Sequence, residues 1–186
     1  GAYVGWQLQS GHKNSTIQGL VENAVSVVAD SSVRIHCAGR TDARVHALGQ
    51  VFHFDDPSGR SLKAWVHGVN GHLPKDIRIL WAQTVPEHFH SRFSALSRSY
   101  RYMIVNTSIS PALLYGLASW HRKTLDEKLM NREVQCLLGE HDFNAFRAST
   151  CQSPTSMRKI ISIEITRHSD FVFMDVKANA FLHHMV

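Results

Sequence analysis

The chain has 186 residues, with 20 Lys and Arg against 15 Asp and Glu, 13 His and only 3 Cys. That length holds one domain or two small ones, and buries enough surface to fold without disulfides or a structural metal. An apolar share of 44%, with 11 Gly and 5 Pro, excludes a disordered or low-complexity chain. The longest apolar stretch, residues 112–120, is about half a membrane span, and no basic segment followed by an apolar one opens the chain. A membrane protein and a secreted precursor are therefore not expected.

In chain order, the first periodic segment is 15–29. Ile17, Leu20, Val21, Ala24, Val25 and Val28 repeat at helical spacing, and Ser15 with Gln18 reads as a capping box. Residues 33–37 then alternate apolar Val33, Ile35 and Cys37 with Arg34 and His36, as a half-buried strand does. A polar loop over 39–47 leads to a second alternating run at 50–55, which pairs with the first. Leu62, Trp65, Val66 and Val69 predict a helix over 61–70, broken at Leu73-Pro74. A strand over 77–82 follows.

The second half opens with a strand over 98–105 and a loop over 106–111. Residues 125–138 read as a helix, with Thr124 and Glu127 as its capping box and Gly139 as its stop. Residues 159–167 and 171–178 alternate around the short turn at 168–170, so they read as a hairpin. Asn179 is positioned to cap a last helix starting at Phe181. The element orders, α-β-β-α-β and β-α-β-β-α, each match a split βαβ unit lacking one terminal strand. The expected fold is α+β. Two ferredoxin-like (RRM-like) halves, residues 1–90 and 91–186, carry mostly antiparallel mixed sheet, with an active-site cleft between them.

The basic excess is local. Residues 1–60 are net neutral, 61–125 carry eight basic and two acidic residues (net +6), and 126–186 are net −1. The densest part, residues 92–102, interleaves Arg92, Arg98 and Arg101 with Tyr100 and Tyr102. Arginine takes phosphates and tyrosine offers a stacking face, which suits an RNA partner; an ordinary solvated strand is the plain alternative. Cys37, Cys136 and Cys151 form no C-x-x-C pair and read as buried free thiols of a reducing compartment.

The most loaded segment is Gly39-Arg40-Thr41-Asp42-Ala43-Arg44-Val45-His46. If it runs extended, residues 40, 42 and 44 share a side, and two guanidiniums favour the ionised Asp42. Such a carboxylate can act as nucleophile or base; a turn Asp in a local ion pair is the alternative. His88 and His90 are spaced as a metal pair, but no third ligand recurs, so no metal site is expected. No nucleophile elbow, P-loop or dinucleotide fingerprint appears, so no nucleotide cofactor is expected.

Gly39-Arg40-Thr41-Asp42-Ala43, followed by residues 45–51, resembles the signature loop of the tRNA pseudouridine synthase A family. Tyr3-Val4-Gly5-Trp6-Gln7, the run 89–95 leading into Tyr100-Arg101-Tyr102, the run 137–143, residues 151–154 and the run 181–186 resemble its other blocks, in order. The resemblance implies an isomerase that converts uridine to pseudouridine in the anticodon stem-loop of tRNA, at positions 38, 39 and 40. It also implies a cytoplasmic homodimer with neither metal nor organic cofactor. Asp42 matches the catalytic aspartate and Tyr100 the active-site tyrosine, while Arg40, His46, Arg98 and Arg101 fall to substrate binding. The family carries Gly where this chain has Arg44. Its pattern begins before Gly1 with a first strand, and continues past Val186 with an arginine that pairs with the aspartate. A catalytically impaired RNA-binding fragment and an unrelated α+β enzyme for a small anion are the competing expectations.

Overall fold

The computed structural model describes residues 2–8, 15–151 and 153–186, which divide into two compact units, Gly1–Ala95 and Leu96–Val186. Both are α+β, and their two sheets are open.

In the first unit, helix α1 spans Ile17–Ala29. Its N-cap is Thr16, whose hydroxyl accepts the Gly19 N–H at 3.2 Å. The expected Ser15–Gln18 capping box does not form, because Gln18 is buried. Its carboxamide accepts the Leu8 N–H (3.0 Å) and donates to Glu22 (2.9 Å). Val21, Ala24, Val25 and Ala29 of α1 pack with Trp65 and Val69 of helix α2, Leu62–His72. Each of these valines, taken from water, contributes about 1.5–3 kcal/mol as an upper bound, and each alanine less than about 1 kcal/mol. Gly68 permits the close approach of the two helices: a Cβ there would lie 3.1 Å from a Val28 methyl.

Between the helices lie two short antiparallel strands, β1 (His36–Cys37) and β2 (Phe52–His53), paired His36 to His53 and Cys37 to Phe52. The expected strand over 33–37 keeps its alternation, with Val33 and Ile35 buried. Its ladder is short because α1 side chains take its donors: Ser26 Oγ accepts the Val33 N–H (3.0 Å) and Glu22 the Ile35 N–H (3.2 Å). The same competition removes the strand expected over 77–82. Ile77, Ile79 and Ala82 do pack on the core, but the Asn70 carboxamide binds both the N–H and the C=O of Ile79 at 2.8 Å. No ladder forms there among the described residues.

The second unit is built on a five-stranded sheet in the order β4-β3-β7-β6-β5. The strands are β3 (Arg98–Asn106), β4 (Ser119–His121), β5 (Gly139–Asp142), β6 (Met157–His168) and β7 (Phe171–Ala178). The expected hairpin is β6–β7. Strand β7 is antiparallel to both β3 and β6, so those two are parallel with β7 between them and helix α3 (Glu127–Val134) in their connection. That is the split βαβ arrangement. Neither β4 nor β5 was expected from the sequence; β4 adds parallel to β3 and β5 antiparallel to β6.

Helix α3 starts later than the sequence suggests. The Leu125 N–H is taken by Asn106 Oδ1 (2.9 Å), and Asp126, rather than Thr124, caps the helix by accepting the Leu129 N–H (2.9 Å). Asn106 also donates to the carbonyls of His121 and Lys123 and accepts from Arg167, so one side chain joins four segments. The helix expected from Phe181 is absent. Asn179 Oδ1 accepts the N–H groups of Lys159 and Ala180 instead of those of a helical turn, and residues 182–185 close a turn (Met185 N to Leu182 O, 3.1 Å). The core of this unit gathers Phe143, Ile160, Ile163, Val176, Ala178 and Leu182. Cys136 is exposed and Cys37 and Cys151 are half-buried, contrary to the expectation of three buried thiols.

Candidate active site

The chain leaves β1 at Cys37 and returns at β2 through the Asp42 loop. The base of the loop is closed by Ala38 N–H on Val51 C=O (2.8 Å) and by the Gln50 side chain on Gly39 C=O. Its flank is held by the segment preceding α1: the Trp6 N–H donates to Thr41 C=O at 2.9 Å, while the Trp6 ring is buried in the core. The two backbones approach so closely that a Cβ on Gly5, whose φ is +107°, would lie 2.8 Å from Thr41 O. Only glycine fits that conformation and that spacing. The Gly5-Trp6 pair is thus the clamp of the Asp42 loop.

The loop itself is not extended. Val45 N–H bonds Asp42 C=O (3.2 Å), and Arg44 adopts a left-handed φ of 69°. The turn breaks the alternation that would have set residues 40, 42 and 44 on one side. Arg40 and Arg44 form no ion pair among the described residues. Arg40, Asp42, Arg44 and His46 are all exposed, as is Leu48 near the end of the loop, at 98%.

The second motif docks on the β1–β2 hairpin. Ser91 is buried; its hydroxyl donates to His36 C=O (2.7 Å) and meets His53 Nδ1 (2.9 Å), which also accepts the Ser91 N–H (3.2 Å). His90 packs on His53 and Phe93, with ring centroids 4.5 and 4.3 Å away. Burial, then the neighbouring His90 and His36, hold the His53 imidazolium below its usual pKa. His90 is therefore engaged with the hairpin, while His88 is exposed in a turn. The sequence reading missed this His36–His53–His90 cluster. Its one signal was a His in each of two strands, and their register is invisible before the strands are paired.

In the second unit, strand alternation sets Arg98, Tyr100 and Tyr102 on one face of β3 and Ser99 and Arg101 on the other. Tyr100 is half-buried against the core, its ring edge-on to Phe181 at 5.0 Å. Arg98 donates to Asn179 C=O (2.8 Å), which leaves it beside Tyr100. Arg101 is bound on the opposite face by both Asp175 oxygens (2.7 and 2.9 Å) and lies 5.2 Å from the Phe173 ring centre. The segment that carries Phe181 is itself clamped: Ala148 N–H bonds His183 C=O (3.1 Å), Thr150 Oγ1 meets His183 Nδ1 (3.2 Å), and Leu182 is buried. Within the 151–154 motif, Gln152 lies outside the described residues.

The chain matches the family model described as tRNA pseudouridine synthase over residues 2–94 and 134–186. It is 55% identical to the tRNA pseudouridine synthase A of Legionella pneumophila (strain Lens) over 184 residues, covering 99% of this chain and 70% of that protein. To the tRNA pseudouridine synthase A of Coxiella burnetii (strain RSA 331 / Henzerling II) it is 54% identical over 185 residues, covering 100% of this chain and 70% of that protein. The Gly5-Trp6 clamp, the Asp42 loop and the Ser91 anchor fall inside the family-model match. Arg98, Tyr100 and Arg101 fall between its two parts, in a stretch over which these relatives align with the chain.

Proposed function

This chain belongs to the tRNA pseudouridine synthase family, and on that premise we propose that it isomerises uridine to pseudouridine in tRNA, with Asp42 as the catalytic carboxylate. The observation that carries this reading is the Gly5-Trp6 clamp. It fixes the backbone of an otherwise exposed loop at Thr41 and leaves the Asp42 side chain facing outward.

The chemistry required is an internal rearrangement. The N1–C1′ bond of uridine breaks, a C5–C1′ bond forms, and the C5 proton leaves as N1 gains one, so atoms balance without a co-reactant. Asp42 serves either by attacking the sugar carbon or by removing a sugar proton, stabilising the cleaved state until the turned base rejoins. The uridine must first leave its stack, at a cost of a few kcal/mol. Tyr100 offers its ring to the extruded base. Arg98, beside it on the same face of β3, and Arg40 and His46 of the loop contact phosphate or ribose. Arg101, held by Asp175 on the other face, is not given a contact with the flipped base. The net +6 of residues 61–125 supplies salt-dependent attraction to the RNA backbone. We assign the anticodon stem-loop, positions 38, 39 and 40, as the target, and a cytoplasmic homodimer as the working form; these finer assignments rest on family membership.

The test is mapping of pseudouridine by carbodiimide adduct formation in tRNA treated with the protein and with Asp42→Ala. The expected result is modification in the anticodon arm by the wild type, none detectable with the variant, and tRNA affinity changed less than about threefold. Activity retained by Asp42→Ala overturns the assignment of the carboxylate. Salt-dependent binding without isomerisation by the wild type favours an RNA-binding protein of this family over an enzyme.

A further inference from the structure

The β1–β2 hairpin that carries the Asp42 loop holds an imidazole on each strand, His36 and His53, paired across the ladder. A third, His90, comes from the turn over residues 90–94, which is closed by the Ser94 N–H on His90 C=O (2.8 Å). The ring centroids lie 4.5, 5.3 and 5.7 Å from one another. The same turn inserts Ser91, only 3% exposed, against the hairpin. Its one hydroxyl proton has an acceptor on each strand: His36 C=O on β1 (2.7 Å) and His53 Nδ1 on β2 (2.9 Å).

The backbone fixes the protonation of two of these rings. A backbone N–H can only donate, so a ring nitrogen that accepts it must present a lone pair. The Ser91 N–H reaches His53 Nδ1 at 3.2 Å, and the Arg92 and Phe93 N–H groups reach His90 Nδ1 at 3.1 and 3.4 Å. Both imidazoles therefore sit with Nδ1 bare and the proton on Nε2. A proton added at Nδ1 turns that nitrogen into a donor facing the N–H groups that hold the turn. The surroundings of His53 act in the same sense. Burial, then His90 and His36, hold it below its usual pKa against the pull of Asp55 beyond β2. Arg92 of the turn, with its guanidinium 5.6 Å from the Phe93 ring centre, is a further cation, and Cys37 beside His36 is kept a neutral thiol by burial.

We infer that Ser91 and His53 are positioning residues for the Asp42 loop: the Ser91 hydroxyl and its N–H, the latter on a bare His53 Nδ1, fasten the 90–94 turn across both strands from which the loop springs. The inference rests on the reading of Asp42 as the reacting carboxylate. His36 and His53 each lie two residues from the bond that closes the base of the loop, Ala38 N–H on Val51 C=O. A shift of the turn is thus passed to that base through the strands. The strut is also acid-sensitive. The docked turn holds His53 neutral, so docking is complete above the ordinary imidazole pKa of about 6.5 and is lost as pH falls through the lower value of the docked state.

The first measurements need no tRNA. In protein made with isotope-labelled histidine, the His53 ring should show a protonated Nε2 and a bare Nδ1 at neutral pH. Exchange of the Ala38 and Val45 amides, corrected for its intrinsic pH dependence, should accelerate as pH falls below about 6.5. In Ser91→Ala both amides should exchange about threefold to tenfold faster at neutral pH, as the loss of one hydrogen bond implies. His53→Asn, whose Oδ1 keeps an acceptor without the titration, should weaken the acid response. On tRNA under single turnover, His53→Leu should slow isomerisation about tenfold or more and Ser91→Ala less, with tRNA affinity changed less than about threefold. His53→Asn should recover most of the rate lost in His53→Leu. A proton on His53 Nδ1 at neutral pH, loop amides that exchange alike in the wild type and Ser91→Ala, or an acid response undiminished in His53→Asn overturns the inference. So does a wild-type rate in a folded His53→Leu; where that variant does not fold, the wild-type tautomer and Ser91→Ala decide. The ring and amide readouts are taken without substrate, so they stand if Asp42→Ala stays active, and their failure leaves the Asp42 assignment to its own test.

Discussion

The two units hold their proposed active-site residues by different means. Asp42 sits on a loop between strands of two residues each, and the position of that loop depends on a few bonds: Trp6 to Thr41, Ala38 to Val51, and the Gln50 side chain to Gly39. Tyr100 sits inside a nine-residue strand paired residue by residue with β7, opposite Val176. A ladder of that kind opens cooperatively, whereas a loop tied at a few points opens locally. The unit carrying the carboxylate has placed its regular structure in two helices and spends side chains, Glu22, Ser26 and Asn70, on the backbone groups that strands would otherwise pair. The lesson is that a loop carrying a proposed catalytic carboxylate can be tied down without a sheet, provided it is clamped from outside by a buried anchor. Such a clamp is also the easier one to break.

The largest expected effect comes from removing that anchor. Trp6→Ala empties a buried indole site and should cost about 3–5 kcal/mol. Phe143→Ala, in the other core, should cost a similar amount. The two are told apart by amide exchange at sub-denaturing urea. Trp6→Ala should speed exchange at Thr41–Val45 and Ala38 most, and Phe143→Ala at β5, β6 and the 181–186 turn. Equal acceleration of the Asp42 loop by both variants would remove the distinction between the units. Gly5→Ala probes the same clamp more finely. A Cβ 2.8 Å from Thr41 O, at a φ that side chains avoid, should cost about 1–3 kcal/mol and move the loop. If Asp42 is positioned by this contact, the turnover number on tRNA should fall by more than tenfold while the binding constant changes little. An unaltered turnover number in a folded Gly5→Ala protein would show that the clamp does not position the carboxylate.

Much of this was legible in the sequence, and the failures share a cause. Both long helices, the β6–β7 hairpin and the β1–β2 pairing follow from periodicity, because an apolar face declares itself at 3.6 or 2 residues. The strand expected over 77–82 and the longer strand over 33–37 show the right alternation. Alternation reports burial, though, and says nothing of where the N–H groups go; Asn70, Glu22 and Ser26 intercept them. The caps at 15 and 124 were read one and two positions early, since Gln18 is claimed by Glu22 one turn on and by Leu8 before the helix, and Leu125 by Asn106, nineteen residues away. In the candidate site, the loop and the Arg98–Tyr100 face were readable from residue type and spacing. The bend at Asp42–Val45, the turning of Arg101 toward Asp175 and the His36–His53–His90 cluster were not, as each depends on a pairing that exists only after folding.

A smaller effect concerns the approach to α2 and sharpens the contrast from the acid side. Burial works to raise the pKa of Asp56. Bonds from the Ser58 N–H and hydroxyl, the Trp65 indole and the Gly59 N–H outweigh it and hold the carboxyl below its usual value. A carboxylate with a lowered pKa stabilises the folded state above its unfolded pKa, and that contribution is lost as pH falls through the folded value. It is therefore complete at neutral pH and fades below about 4. Amide exchange at Ser58 and Trp65 should accelerate on acidification in the wild type, whereas Asp56→Asn should be looser at pH 7 and lose the acid response at these two amides. The β6–β7 amides, which depend on no carboxylate of this turn, should show no difference between the two proteins.

The smallest effect bears most directly on the loop. Arg44 stands where the related pattern has glycine, and its backbone takes the left-handed φ of 69° that glycine adopts freely. The loop has therefore kept the bend and accepted a side chain at a steric penalty of about 1–2 kcal/mol, offset in part because an arginine is less free than a glycine in the unfolded chain. Arg44→Gly should then leave the protein equally stable or stabler by up to about 1 kcal/mol, read as a midpoint shift in urea. That outcome does not depend on tRNA. If the exposed guanidinium also neutralises a phosphate, the same substitution should weaken tRNA binding and reduce the slope of log affinity against log salt by about 1, with the turnover number unchanged. A gain in stability with no change in salt slope would make Arg44 a tolerated replacement; a reduced slope would make it an added RNA contact, retained despite the strain. Loss of stability in Arg44→Gly would contradict the left-handed geometry itself, and with it the view that this loop is shaped by its clamp and its bend rather than by its charges.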